Sequence, residues 1–134
     1  MQIDLVDAMA VGRAHADQTH KFWGYFQVVT AAALALAWSS HGPPEQIRWG
    51  LALGYAGFAF FNWRLVRDSQ AASFATWSAI TNYCKTHPAQ ITPEFSNLPT
   101  LNRPMRPWIV ALGHALLSLL ALAALVAAAQ VTRS

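Results

Sequence analysis

Few residues in this 134-residue chain have the type and spacing for chemistry. The first is His114, set within PWIVALGHALLSLLALAALVAAA, an uncharged run where an ionisable side chain is costly. Turned into a bundle, it would act as a proton relay, an ion contact or a ligand contact. The plainer alternative is a neutral imidazole hydrogen-bonded to a neighbouring helix, with Tyr55, Gln27 or Thr30 as partners. No Asp or Glu lies inside any apolar run of the chain, and a histidine alone makes a poor relay, so the plainer alternative is favoured.

Arg13 and His20 fit the loose arginine–histidine spacing of some ribonucleases, and on one helix they share a face, about 20° short of two full turns apart. So permissive a pair arises often by chance. His15 and His20 point to different sides of a helix, which excludes a helical metal pair. There is no H-E-x-x-H, phosphate-binding glycine loop, nucleophile elbow or C-x-x-C. Cys84 is the one cysteine, so neither a disulfide framework nor a thiolate metal site is available. The expectation is therefore no catalytic residue, no cofactor and no metal. Without a dense basic cluster, nucleic acid is not expected as a partner either.

The elements around these residues point to an all-α integral membrane protein. Apolar residues gather in three runs, read as transmembrane helices at 22–40, 49–66 and 107–129. The third is long enough, at about 1.5 Å per residue, to cross a bilayer without a charge. Trp23 and Trp38, Trp49 and Trp63, and Trp108 fall near the run ends, where an amphipathic indole suits the interface. Asp4, Asp7 and Asp17 precede the first run, so it is expected to be a retained anchor and not a cleaved signal.

The turn at 41–48, with Gly42, Pro43 and Pro44, is too short to let the first two spans separate. They form an antiparallel hairpin. Both limbs are expected to continue past the bilayer as helix: residues 1–21 before the first, helical from residue 2, and 67–86 after the second. His87-Pro88 ends the latter, because proline disfavours helix at the residue before it. Residues 87–106 are a proline-rich return loop, neither helix nor central strand, expected either to lay Ile91, Phe95, Leu98, Leu101 and Met105 along this stalk or to stay an unpinned loop, and 130–134 an external tail. Arg13, Lys21, Arg64, Arg67, Lys85, Arg103 and Arg106 lie on one side of the spans, Arg48 and Arg133 on the other. The positive-inside rule places the N-terminus in the cytoplasm and the C-terminus outside, as in a bacterial inner membrane.

Gly50, Gly54 and Gly57 on the second span, and Ala111, Gly113 and Ala115 on the third, make small-residue faces for close helix packing, chiefly within the chain. Phe74, Trp77, Ile80 and Cys84 recur on one face of the stalk and are its candidate contact residues. In layout, though not in any residue motif, Arg13–Thr86 resembles the two-span hairpins with cytoplasmic extensions predicted as membrane effectors in bacterial nucleotide-signalled defence systems. The third span departs from that pattern. The functional expectation is a small non-catalytic membrane subunit or scaffold, with the bilayer and either its own copies or a larger membrane complex as partners. The alternative is a homo-oligomeric pore or transport element gated from the stalk.

Overall fold

The computed structural model describes residues 4–131. The expected helix start at residue 2 and the tail past residue 131 lie outside them. Among the described residues the chain is all-helical: α1 (Leu5–Ala37), α2 (Glu45–Thr86), α3 (Leu98–Leu101) and α4 (Pro107–Gln130). Two 3₁₀ turns, Pro88–Gln90 and Pro93–Phe95, separate α2 from α3.

Local chemistry sets these bounds. Asp4 caps α1 by accepting from the Asp7 N–H at 2.8 Å, and Asp7 adds a negative charge to a first turn that favours one. The helix runs 33 residues to Ala37, then gives way to the glycine–proline turn. α2 starts after Pro44, runs 42 residues, and stops where His87, ahead of Pro88, leaves helical geometry at φ −126°, ψ 54°. The expected hairpin and both extensions are thus present, with no break in either limb.

The return segment differs from expectation in two ways. It contains the 3₁₀ turns and the one-turn α3, because prolines at the start of each 3₁₀ turn tolerate the first helical positions. It is also not held by the side chains expected: Phe95, Leu101 and Met105 are exposed, and only Ile91 is half-buried. Backbone carbonyls hold it instead. Thr81 donates to the Pro99 carbonyl at 3.3 Å and Gln70 to that of Met105 at 2.9 Å, while the Pro99 ring is buried. The Leu98 side chain lies outside the described residues.

α1 and α2 interlock through a coiled-coil pattern. Gly12, Thr19, Phe26 and Ala33 of α1, each seven residues apart, are buried. On α2 the buried positions Arg48, Ala52, Tyr55, Ala59, Asn62, Val66, Ser69 and Ser73 alternate in steps of four and three. One further step of four brings in Trp77, shifting the stripe as an inserted stutter does. There the indole lies where α1 has no side chain: a Cβ on Gly12 would stand 3.1 Å from Trp77.

α4 packs mainly on α2, beside the apolar half of the hairpin. It is the one described helix long and apolar enough to cross a membrane by length and composition. The apolar halves of α1 and α2 fall short of that measure because they carry Trp, Tyr, Gln and Asn where α4 carries Leu and Val.

Gly12→Leu forces a branched side chain onto Trp77 and should destabilise the fold by about 1–3 kcal/mol, the usual cost of overpacking. Gly54→Ala, with nothing within 4 Å of the added methyl, should be neutral or stabilising. Thermal unfolding of the two purified variants followed by circular dichroism checks the contrast; equal melting temperatures would refute it.

Candidate functional site

The polar centre of the molecule lies where α1, α2 and α4 meet. His114 is 0% exposed. Its ring packs against Phe26, with centroids 4.2 Å apart, and against Trp23 at 5.1 Å. The Asn62 amide nitrogen sits 2.9 Å from His114 Nε2 and also donates to the Phe22 carbonyl at 3.3 Å. Turning the amide over would set its oxygen against that carbonyl, so the nitrogen faces the ring.

That orientation assigns the protons. Nε2 accepts from Asn62, so the imidazole carries its hydrogen on Nδ1 and donates to Ser118 Oγ at 3.2 Å. The Ser118 hydroxyl then donates to the His114 carbonyl at 2.8 Å. A serine nucleophile needs the opposite arrangement, its hydroxyl donating to the imidazole base. With the Phe22 carbonyl of α1, the Asn62–His114–Ser118 circuit joins three helices. Its chemistry is that of a buried crosslink.

Sequence reasoning offered Tyr55, Gln27 or Thr30 as partners of His114, and the structure brings none of them to it. Tyr55 and Thr30 bond to each other at 3.0 Å, and Gln27 is exposed. The register explains the difference, since His114 lies two turns into α4, level with Asn62 and about two turns from Tyr55. Asn62 was legible in one respect: it follows Arg48 and Tyr55 at seven-residue spacing.

Four donors from the hairpin reach α4. Besides Asn62, Trp63 Nε1 donates to the Ala111 carbonyl at 2.9 Å, Trp38 Nε1 to that of Ala124 at 3.2 Å, and Arg48 Nη1 to that of Ala128. Two of the expected interface tryptophans therefore spend their N–H on a neighbouring helix. Arg48 is 8% exposed, and its Nε is buried without a partner. Near the end of α4 its charge meets the negative end of the helix dipole.

The small residues divide. Ala111 is buried in contact with Trp63, Ala115 is half-buried beside Ser118, and Gly113 is half-buried with open space at its Cβ position. Gly50, Gly54 and Gly57 were expected to pack within the chain, but all three are exposed with nothing within 4 Å. The buried stripe of α2 passes through Ala52, Tyr55 and Ala59 instead, and turns the glycines outward.

In the stalk, Thr19 Oγ1 and Ser69 Oγ lie 2.8 Å apart, and both hydroxyls also reach the His15 carbonyl. Trp77 and Ile80 are buried inside the stalk, so they form its core and not a free surface. Phe74 is half-buried with Arg103 stacked 4.7 Å from its ring, and Cys84 is half-buried beside the return segment. Arg13 and His20 are exposed on α1. No three His, Cys, Asp or Glu residues converge among the described residues. A scan against family models, a search of curated proteins and a search of solved structures each return no match to this chain.

Asn62→Leu leaves His114 Nε2 buried without a donor and should cost about 1–3 kcal/mol. Adding His114→Phe removes the orphaned acceptor, so the pair should cost less than the sum of the singles. A double-mutant cycle on unfolding measures the coupling, and strict additivity would contradict the circuit.

Proposed function

We propose that this chain is a three-span integral membrane protein acting as a non-catalytic subunit or scaffold, with its helical stalk in the cytoplasm as the partner-facing part. One observation carries the reading: packing in the apolar half is inverted. Where α1, α2 and α4 meet, the buried residues are mostly alanines, Ala33, Ala37, Ala52, Ala59, Ala121 and Ala128. Facing outward are Val28 at 70%, Leu53 at 72% and Leu120 at 69% exposure, with Phe61, Leu116 and Leu119 among others. A water-soluble bundle buries its large side chains and cannot leave so continuous an apolar exterior. Helices in lipid do the reverse, because small residues let backbones approach and hydrocarbon welcomes the large side chains outside.

Charge supports the orientation. Between Phe22 and Trp63 the only charged residues are Glu45 and Arg48, at the turn end of the hairpin. The remaining described Lys and Arg residues, Arg13, Lys21, Arg64, Arg67, Lys85, Arg103 and Arg106, belong to the stalk half, which the positive-inside rule assigns to the cytoplasm. The stalk tip offers a surface for a partner: a groove of ≈ 470 Å³ between α1 and α2, lined by Asp4, Leu5, Ala8, Val11, Ala79 and Tyr83, among others.

Membranes from expressing cells should retain the chain through carbonate extraction. In intact cells an impermeant maleimide should label Ser40→Cys in a Cys84→Ser background, while native Cys84 should react only after permeabilisation. Carbonate release would end the membrane reading, and labelling of Cys84 from outside would reverse the topology.

A further inference from the structure

α1 and α4 touch along far less of their length than either touches α2. Between them runs a groove of ≈ 510 Å³, lined by Phe26, Gln27, Thr30, Leu34, Leu117 and Leu120, among others. All but two of these six side chains are apolar. Thr30 is bonded to Tyr55, but the Gln27 amide makes no hydrogen bond among the described residues and is exposed.

The bilayer-spanning reading makes this position anomalous. Gln27 lies one turn beyond Trp23, within the apolar half, where a primary amide facing hydrocarbon leaves several hydrogen-bonding sites unsatisfied. Polar side chains at such depth belong against protein. The same face of α1 is also built for close approach. Gly24 and Ala31 flank Gln27 at helical spacing, and a Cβ on Gly24 would meet nothing within 4 Å.

We propose that this face is the contact between two copies of the chain, with the Gln27 amide bonded to the partner's Gln27. The proposal rests on the three-span reading above. What selects a second copy over another helix is self-complementarity. Copies inserted in one orientation relate by a two-fold axis along the membrane normal, so each residue on that axis meets its own counterpart at the same depth. A primary amide has both a donor and an acceptor, so two glutamines close a reciprocal pair with nothing else required. An unrelated span would need a matching polar group at that level. Close approach at Gly24 and Ala31 lets the amides meet, and the flanking groove accepts the neighbouring apolar side chains.

Cysteine scanning in native membranes tests this, in the full-length chain with Cys84→Ser. Gln27→Cys and Ala31→Cys should give a disulfide-linked species of twice the chain mass on oxidation. Tyr25→Cys and Leu53→Cys, also exposed but on other faces, should give several-fold less. Separately, Gln27→Leu should lower the dimer fraction in mild detergent, while Gln27→Asn should retain most of it. Equal crosslinking at all four positions would indicate random collision and overturn the proposal. So would crosslinks to a species of different mass, or none at Gln27 and Ala31. Carbonate extraction of the same membranes separates the two readings: a chain that stays inserted without crosslinking refutes the dimer alone, and a released chain refutes the bilayer premise beneath it.

Discussion

Because α1 and α2 keep a single antiparallel register along almost their whole length, every other contact in the molecule is referred to it. As the α1 number falls the α2 number rises in step, through Thr30 with Tyr55, the Phe22 carbonyl with Asn62, Thr19 with Ser69, and Gly12 with Trp77. The stripe alternates small apolar layers with polar ones. Arg48, Tyr55, Asn62 and Ser69 stand seven residues apart on α2, and each finds a specific acceptor or partner. A slip of α1 by one residue would break the Thr30–Tyr55 and Thr19–Ser69 pairs together, while Arg48 and Asn62 tie the same stripe to α4. In an interface lined mostly by alanine, where packing alone distinguishes registers poorly, these polar layers supply the specificity that a buried polar residue gives a coiled coil.

α4 presents the complementary problem. Its sequence is nearly uniform in Leu, Ala and Val, so many axial positions would pack about equally well against an alanine-lined surface. The hairpin resolves the ambiguity by reaching for backbone. Trp63 and Trp38 bind carbonyls of Ala111 and Ala124, about 20 Å apart along the helix, and Arg48 binds that of Ala128. Carbonyls occur at every residue and cannot alone choose a register. His114 can, because its ring is the α4 side chain that meets the Asn62 amide, in a helix with few other polar side chains. A repetitive helix is thus fixed by one residue and steadied by three.

Much of this fold was legible before any coordinates because its boundaries are written in strong local signals. The Gly42-Pro43-Pro44 turn, Pro88 and Pro107 start or stop helices whatever packs around them, and neither limb of the hairpin contains a proline between its ends. What the sequence did not disclose are the quantities that depend on rotation and register. The glycines of α2 read as a packing face, yet three-residue and four-residue spacing marks a stripe without saying which way it turns. The partner of His114 required knowing the depth of α4 relative to α2, which no local signal encodes. The return segment misled for a different reason: apolar side chains suggested burial, but carbonyls freed by the irregular backbone were what the stalk donors Thr81 and Gln70 could use.

Continuity of the two long helices has a mechanical consequence. No proline interrupts α1 or α2, and the glycine buried between them, Gly12, is filled by the Trp77 ring, so the stalk and the apolar half move as one pair of rods. α4 has no extension into the stalk. Its links to the rest are the donors on its inner face and the return segment, which Gln70 grips at Met105 just ahead of Pro107. A partner that shifts the rods against each other would therefore act on α4 through Asn62 and Trp63, at the end of the bundle nearest the stalk. The polar circuit at His114 occupies that junction, and its three-helix connectivity makes it the point where such a displacement must either be resisted or passed on.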